Sequence, residues 1–223
     1  MTDASQNPAS PAHDKIIDAA MMLSTEQPWS SVSVRDIVEA ADVPLSDFVA
    51  NFSGKQDVLS AFARRIDGIV MAAETDWDSE ETPRDRLFDI MMRRFDALSP
   101  YKGAIKALMR EARRNPSLAM GGGCQLSRSM QWMLEAAGIS NSGPLACTRK
   151  SALSLAYLAV LRTWLQDDSV DQATTMASLD AQLRRLEELA QTVQRPFSRG
   201  GFNPFRARQK GWAQGGEAPD APM

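Results

Sequence analysis

A chain of 223 residues that is 43% hydrophobic and 24% charged has the make-up of a folded globular protein, which excludes a wholly disordered one. Its length allows one sizeable core, or a small domain beside a medium one. The formal net charge of −3 is unevenly spread, and the imbalance bears on function. In residues 1–68, Lys15, Arg35, Lys55, Arg64 and Arg65 stand against Asp3, Asp14, Asp18, Glu26, Asp36, Glu39, Asp42, Asp47, Asp57 and Asp67. Five cations against ten anions leave that region at −5. From residue 194 onward, Arg195, Arg199, Arg206, Arg208 and Lys210 outnumber Glu217 and Asp220, a net of +3.

The first fifteen residues, MTDASQNPASPAHDK, lack the basic and apolar regions of a secretion signal. No run of about 18 apolar residues occurs, so no transmembrane segment is expected. Cys124 and Cys147 have no paired or metal-ligand spacing and read as free thiols of a reducing, cytoplasmic compartment.

Hairpin turns and alternating β-branched runs are missing, which predicts an all-α fold. Residues 1–12 read as a disordered polar arm. Ile16, Ile17, Ala20 and Leu23 recur at helical spacing, and Pro28 ends that helix. Ser33 with Asp36 resembles a capping box opening a helix through Ala41. A turn at Asp42-Val43-Pro44 leads to a third helix over 45–51. Ser53 with Gln56 suggests a second capping box, opening a helix through about Met71.

Beyond the linker TDWDSEET, Thr82-Pro83 marks a new start, with Thr82 as cap and Pro83 at the first helical position. Leu87, Ile90, Met91, Arg94 and Phe95 mark one face of that helix, which stops before Pro100. Residues 103–114 form the next, with Ile105, Leu108, Met109 and Ala112 inward. A helix from about Ser117 to Ala137 contains Gly121-Gly122-Gly123, expected to weaken or kink its start. Residues 144–166 are strongly apolar. Ser169 and Gln172 then cap a last helix striped by Met176, Leu179, Leu183, Leu186 and Leu189. From Pro196 the pattern ends, predicting a flexible basic tail over 195–223.

Enzymatic chemistry finds little footing. The single histidine, His13, lies where a frayed end is expected, against histidine base catalysis or a histidine metal cluster. The triple glycine lacks the Lys-Ser/Thr of a phosphate loop. The reading is therefore of a protein that is not an enzyme, with no cofactor and no metal site.

The run AAMMLSTEQPWSSVSVRDIVEAADVPLSDFVANFSGKQDVL, Ala19 to Leu59, resembles the TetR family of one-component regulators without a gap. Ala19-Ala20, Trp29, Ser33 to Ile37, Ala40-Ala41, Val43, Phe52, Lys55 and Leu59 carry it. The resemblance implies a helix–turn–helix domain over 13–72 and a helical ligand-binding and dimerisation domain over 83–194. It also implies a homodimer built on the long helices 144–166 and 170–193, acting as a ligand-responsive repressor on a double-stranded DNA operator. The implied DNA-facing residues are Ser33, Arg35, Leu45, Ser46, Asp47, Val49, Asn51 and Lys55. Asn51 can pair with an adenine edge and Lys55 can hold a phosphate.

The chain departs from the family at Asp42, where glycine is usual, at Pro44, where a hydroxyl cap is usual, and at Val49 and Asn51, where tyrosine and histidine types are usual. With no lysine or arginine on the third helix, DNA affinity has little electrostatic support there.

Met91, Met92, Phe95, Met109, Met120, Trp132 and Met133 read either as core or as the lining of a pocket for a hydrophobic small molecule or lipid. Met91, Phe95, Met109, Trp132 and Met133 are the favoured lining. LRTWLQDDSVDQATTMASLDAQLRRLE is also similar to the end of the ubiquinone-biosynthesis accessory lipid-binding proteins, through Asp167-Asp168-Ser169, Thr174, Leu179 and Asp180. That second resemblance implies an alternative: a protein of the same fold that has lost operator binding and serves as a lipid-binding or protein-interaction module.

Overall fold

The computed structural model of the protein describes residues 11–73, 81–140, 142–143 and 145–198. Residues 75–80 of the expected linker, 1–10 of the expected arm and 199–223 of the expected tail lie outside the described residues. Among the described residues nine α-helices follow in order: α1 Pro11–Glu26, α2 Val34–Ala41, α3 Leu45–Asn51, α4 Lys55–Ala72, α5 Pro83–Leu98, α6 Lys102–Ala112, α7 Pro116–Ala136, α8 Ala146–Trp164 and α9 Ala173–Ser198. A single 3-10 turn, Ser99–Tyr101, joins α5 to α6, and no strand occurs among the described residues. The described residues up to Leu186 form one compact unit, and those from Glu187 to Ser198, the end of α9, belong to another.

In α1, Ile16, Ile17, Ala20 and Leu23 are all buried, because their spacing keeps them on one helical face. The helix opens at Pro11, so Pro11 and Ala12 are helical rather than part of the expected arm. Proline suits this position because its missing N–H would have had no helical acceptor. His13 is likewise ordered on α1, where its ring stacks on Phe52 at 5.0 Å.

The capping box of α2 forms as read. Ser33 accepts the Asp36 N–H at 3.1 Å, and Asp36 accepts the Ser33 N–H at 2.8 Å. At its other end Asp42 takes the left-handed conformation, φ 50 and ψ 55, which lets the Val43 N–H reach back to the Val38 carbonyl at 3.1 Å.

Two expected caps are replaced. At α4 the box of Ser53 with Gln56 does not form. Gly54 is the N-cap with no side-chain bond, and Asp57 takes the Ser53 N–H at 3.2 Å. Ahead of α9 the carboxylate of Asp167, rather than Ser169 or Gln172, does the work. It accepts the Thr175 N–H at 2.8 Å and hydroxyl at 2.7 Å, and the Ser169 hydroxyl at 2.5 Å. Those bonds, the Ser169 hydroxyl foremost, hold its pKa well below the ordinary carboxylate range. A carboxyl more acidic folded than unfolded stabilises above the ordinary carboxylate range, and that contribution is lost as pH falls through it.

Gly121, Gly122 and Gly123 sit inside a continuous α7 on its exposed side, where no packing is forfeited by missing side chains. The helix is anchored at its start by the Asn115 cap, which accepts the Leu118 N–H at 3.2 Å. In α9 Leu179 and Leu183 are buried, whereas Met176 and Leu189 of the same expected stripe are exposed. The helix runs across Pro196 to Ser198, past the end expected near residue 194.

Candidate nucleic-acid interface

The α2–turn–α3 unit is the corner that can place α3 in a groove. Phe48 and Phe52 hold α3 from beneath, at 3% and 5% exposure, with their rings 5.5 Å apart. On the opposite side Leu45 is 56% and Val49 71% exposed, and Ser46 and Ala50 are exposed beside them. Asp47 and Asn51 are half-buried on the flank. The Asn51 side-chain amide donates to the Asp47 carbonyl one turn back at 2.7 Å. That bond uses one of the two amide hydrogens with which an asparagine could grip an adenine edge.

Of the other residues named for DNA, Ser33 is engaged in its capping box. Arg35 projects from α2 with its side chain 85% exposed and pairs with Glu39 at 2.9 Å. This bond, then the Glu39 charge, raises its pKa.

Lys55 is placed differently from its expected role. Its ammonium donates to the carbonyls of Trp29 at 2.8 Å, Ser30 at 3.3 Å and Val32 at 2.7 Å, and sits 5.4 Å from the Trp29 ring centre. An ammonium has three N–H donors, and three carbonyls use them all. In this arrangement none is left for a phosphate. Lys55 instead braces the loop that enters α2.

The same loop is held from its other side by a residue the sequence reading did not single out. Glu111 of α6 accepts the Trp29 N–H at 2.5 Å and the Ser30 N–H at 2.8 Å. A carboxylate on two adjacent amides is a charge-assisted pair of bonds. The loop at 29–32 is thus pinned through its amides by α6 and through its carbonyls by α4. A cleft of about 630 Å³ opens beside this clamp, lined by Thr25, Trp29, Leu108, Arg110, Glu111 and Arg114 among others.

A second tie lies deeper. Asp67 of α4 pairs with Arg94 of α5 and accepts the Ser129 hydroxyl of α7 at 2.7 Å. Arg94 lies 5.7 Å from the Tyr157 ring of α8. Asp67, Arg94, Ser129 and Tyr157 are all buried. Burial alone would lower the Arg94 pKa, but Tyr157 and Asp67 outweigh it and raise the pKa instead. Burial raises the Tyr157 pKa against the opposing pull of Arg94. An arginine on the apolar stripe of α5 was the sequence signal for this network. At the surface Arg65 of α4 reaches Asp18 of α1 at 2.6 Å and the Tyr101 hydroxyl at 2.9 Å.

The expected pocket residues differ in burial. Met91, Phe95 and Met133 are fully buried, and Phe95 stacks on Tyr157 at 5.3 Å. Met109 is half-buried, and Trp132 is 53% exposed on α7. None of the five lines the cleft beside Glu111.

The head, with its tight turn and short second helix, and the helical body define a TetR-like fold. Residues 16–62 match the model of the bacterial regulatory proteins of the tetR family. The chain is similar in structure to the TetR transcriptional regulator from Nitrosomonas europaea ATCC 19718, with a TM-score of 0.63 and 23% identity over 80% of this chain and 99% of that one. It is also similar to a TetR transcriptional regulator from Rhodococcus sp. RHA1, with a TM-score of 0.56 and 20% identity over 79% of this chain and 95% of that one. No curated protein matches the chain. No described helix is long and apolar enough to cross a membrane.

Proposed function

We propose that the chain is a cytoplasmic, homodimeric, ligand-responsive repressor that binds a double-stranded DNA operator through α3. The observation that carries this reading is the α2–turn–α3 corner inside the matched residues 16–62, with α3 anchored by Phe48 and Phe52 and its far face exposed. A dimer presents two such helices to successive major grooves. The exposed Leu155 of α8 and Met176 of α9 support pairing of these helices with a second copy, since apolar side chains there favour burial.

The Glu111 clamp supports control by a small hydrophobic molecule or lipid. Any ligand that shifts α6 moves Glu111, and Glu111 holds the backbone leading into the α2 cap. The coupling needs no contact between ligand and DNA. The lipid-carrier alternative is not favoured: of the residues behind it, Asp167 and Ser169 are engaged in capping α9, and Lys102 holds the Asp167 carbonyl at 2.6 Å.

The test is a pull-down of fragmented host DNA with the purified protein at low and at physiological salt. A few reproducible palindromic sites surviving physiological salt are expected. No enrichment at either salt, from a folded dimer, overturns the reading. A stable monomer by light scattering at micromolar concentration overturns the dimer.

A further inference from the structure

The outward face of α3 has an unusual chemistry for a helix that enters a groove. At about 100° per residue, Leu45, Val49, Ser46 and Ala50 share an arc of about 140° turned away from Phe48. All four are exposed, and none carries a charge. Asp47 and Asn51, the residues with the strongest base-pairing chemistry, are half-buried on the flank, and Asn51 is bonded back to its own helix. The face therefore offers apolar surface and one hydroxyl. In a major groove the apolar feature that such a surface can complement is the C5-methyl group of thymine.

We infer that α3 reads its operator chiefly through thymine methyl groups, with Leu45 and Val49 as the specificity-determining contacts and Ser46 as the one hydrogen-bonding side chain. This rests on the DNA-binding reading above. Leu45 and Val49 lie one helical turn apart, so their methyl contacts fall on neighbouring base pairs of one half-site. The head's charge does not contribute to this readout, since a methyl contact gains from burial of apolar surface rather than from charge.

The experiment uses the full-length protein in a selection from random duplex DNA at physiological salt, followed by binding to the selected duplex with each thymine replaced singly by uracil. Uracil keeps the pairing edge and loses only the methyl group. Two thymines in each half-site are expected to be required, each uracil weakening binding about fourfold. The Val49→Ala protein should bind more weakly to the thymine duplex and show no further loss with uracil at one of the two positions. Val49 is 71% exposed, so this variant leaves the core intact, and the uracil arm needs no variant at all. A selected duplex whose binding is indifferent to uracil at every position overturns the methyl readout and leaves DNA binding standing. Failure to enrich any sequence with a folded protein overturns both.

Discussion

The front and rear of the helix–turn–helix head are built on opposite principles. At the front, α3 turns out Leu45, Ser46, Val49 and Ala50 without a charge among them. Away from that face, the head's cations have partners within the protein: Lys55 binds three loop carbonyls and Arg65 binds Asp18 and Tyr101, while the exposed Arg64 and Arg35 pair with Asp57 and Glu39. Of the five cations in residues 1–68 only Lys15, exposed on α1, is outside that set. The charge of this head serves to hold it together and to tie it to the body. Its front carries recognition by shape and apolar contact.

The largest effect is expected at the deepest tie. Arg94→Met leaves the buried Asp67 carboxylate without its cation, and loss of one partner of a buried pair costs about 3–5 kcal/mol. The double variant Asp67→Leu with Arg94→Met should recover much of that loss, as no charge is left buried. Urea denaturation of both measures the comparison. A single variant with an unchanged midpoint would remove this pair from the account of how α4 is fixed.

Next comes the clamp. Glu111→Gln keeps the shape but replaces charge-assisted bonds with neutral ones, and removing a bond to a charged group costs about 1.5–3 kcal/mol. The local signature is sharper than the global one: amide exchange at Trp29 and Ser30 should accelerate while that at Ile16 and Ile17 holds. Equal acceleration in both places would mean that Glu111 stabilises the whole domain rather than the loop.

How much of this was legible beforehand depends on whether the cause was local. The nine helices, the Ser33 box and the Thr82 cap followed from spacing and from residues three apart, because helix starts are decided within one turn. Glu111 gave no signal, since its partners are backbone amides more than eighty residues away, and a backbone group has no residue type to read. Lys55 was readable as a cation of functional interest, but its three carbonyl partners were not, for the same cause: carbonyls look alike in sequence. The pocket residues were ambiguous on another ground, as Met91, Phe95 and Met133 have the spacing of a lining and of a core alike.

Lys55 separates the two halves of the comparison directly. Lys55→Met removes the brace on the carbonyls of Trp29, Ser30 and Val32 and should lower the thermal midpoint. The slope of log affinity against log salt should stay where it was, because no phosphate contact is lost. A slope shallower by about 0.9 would place Lys55 on a phosphate in the complex and would move this cation from the rear of the head to its front.

The smallest effect tests whether the turn between them is set by shape alone. Asp42 holds φ at 50, a conformation in which a side chain is strained and glycine is not. Relief of a left-handed penalty of about 1–2 kcal/mol, less an entropic cost of glycine of about 0.5–1 kcal/mol, predicts that Asp42→Gly stabilises the fold by up to about 1 kcal/mol, read as a higher urea midpoint with an unchanged denaturant slope. The variant also makes the head less acidic by one charge at the approach to α3. If the turn acts only through its backbone, stability rises and the salt dependence of DNA binding does not change. If DNA binding strengthens at low salt more than at high salt, the Asp42 carboxylate is close enough to the duplex to repel it, and the front of the head has an electrostatic component after all.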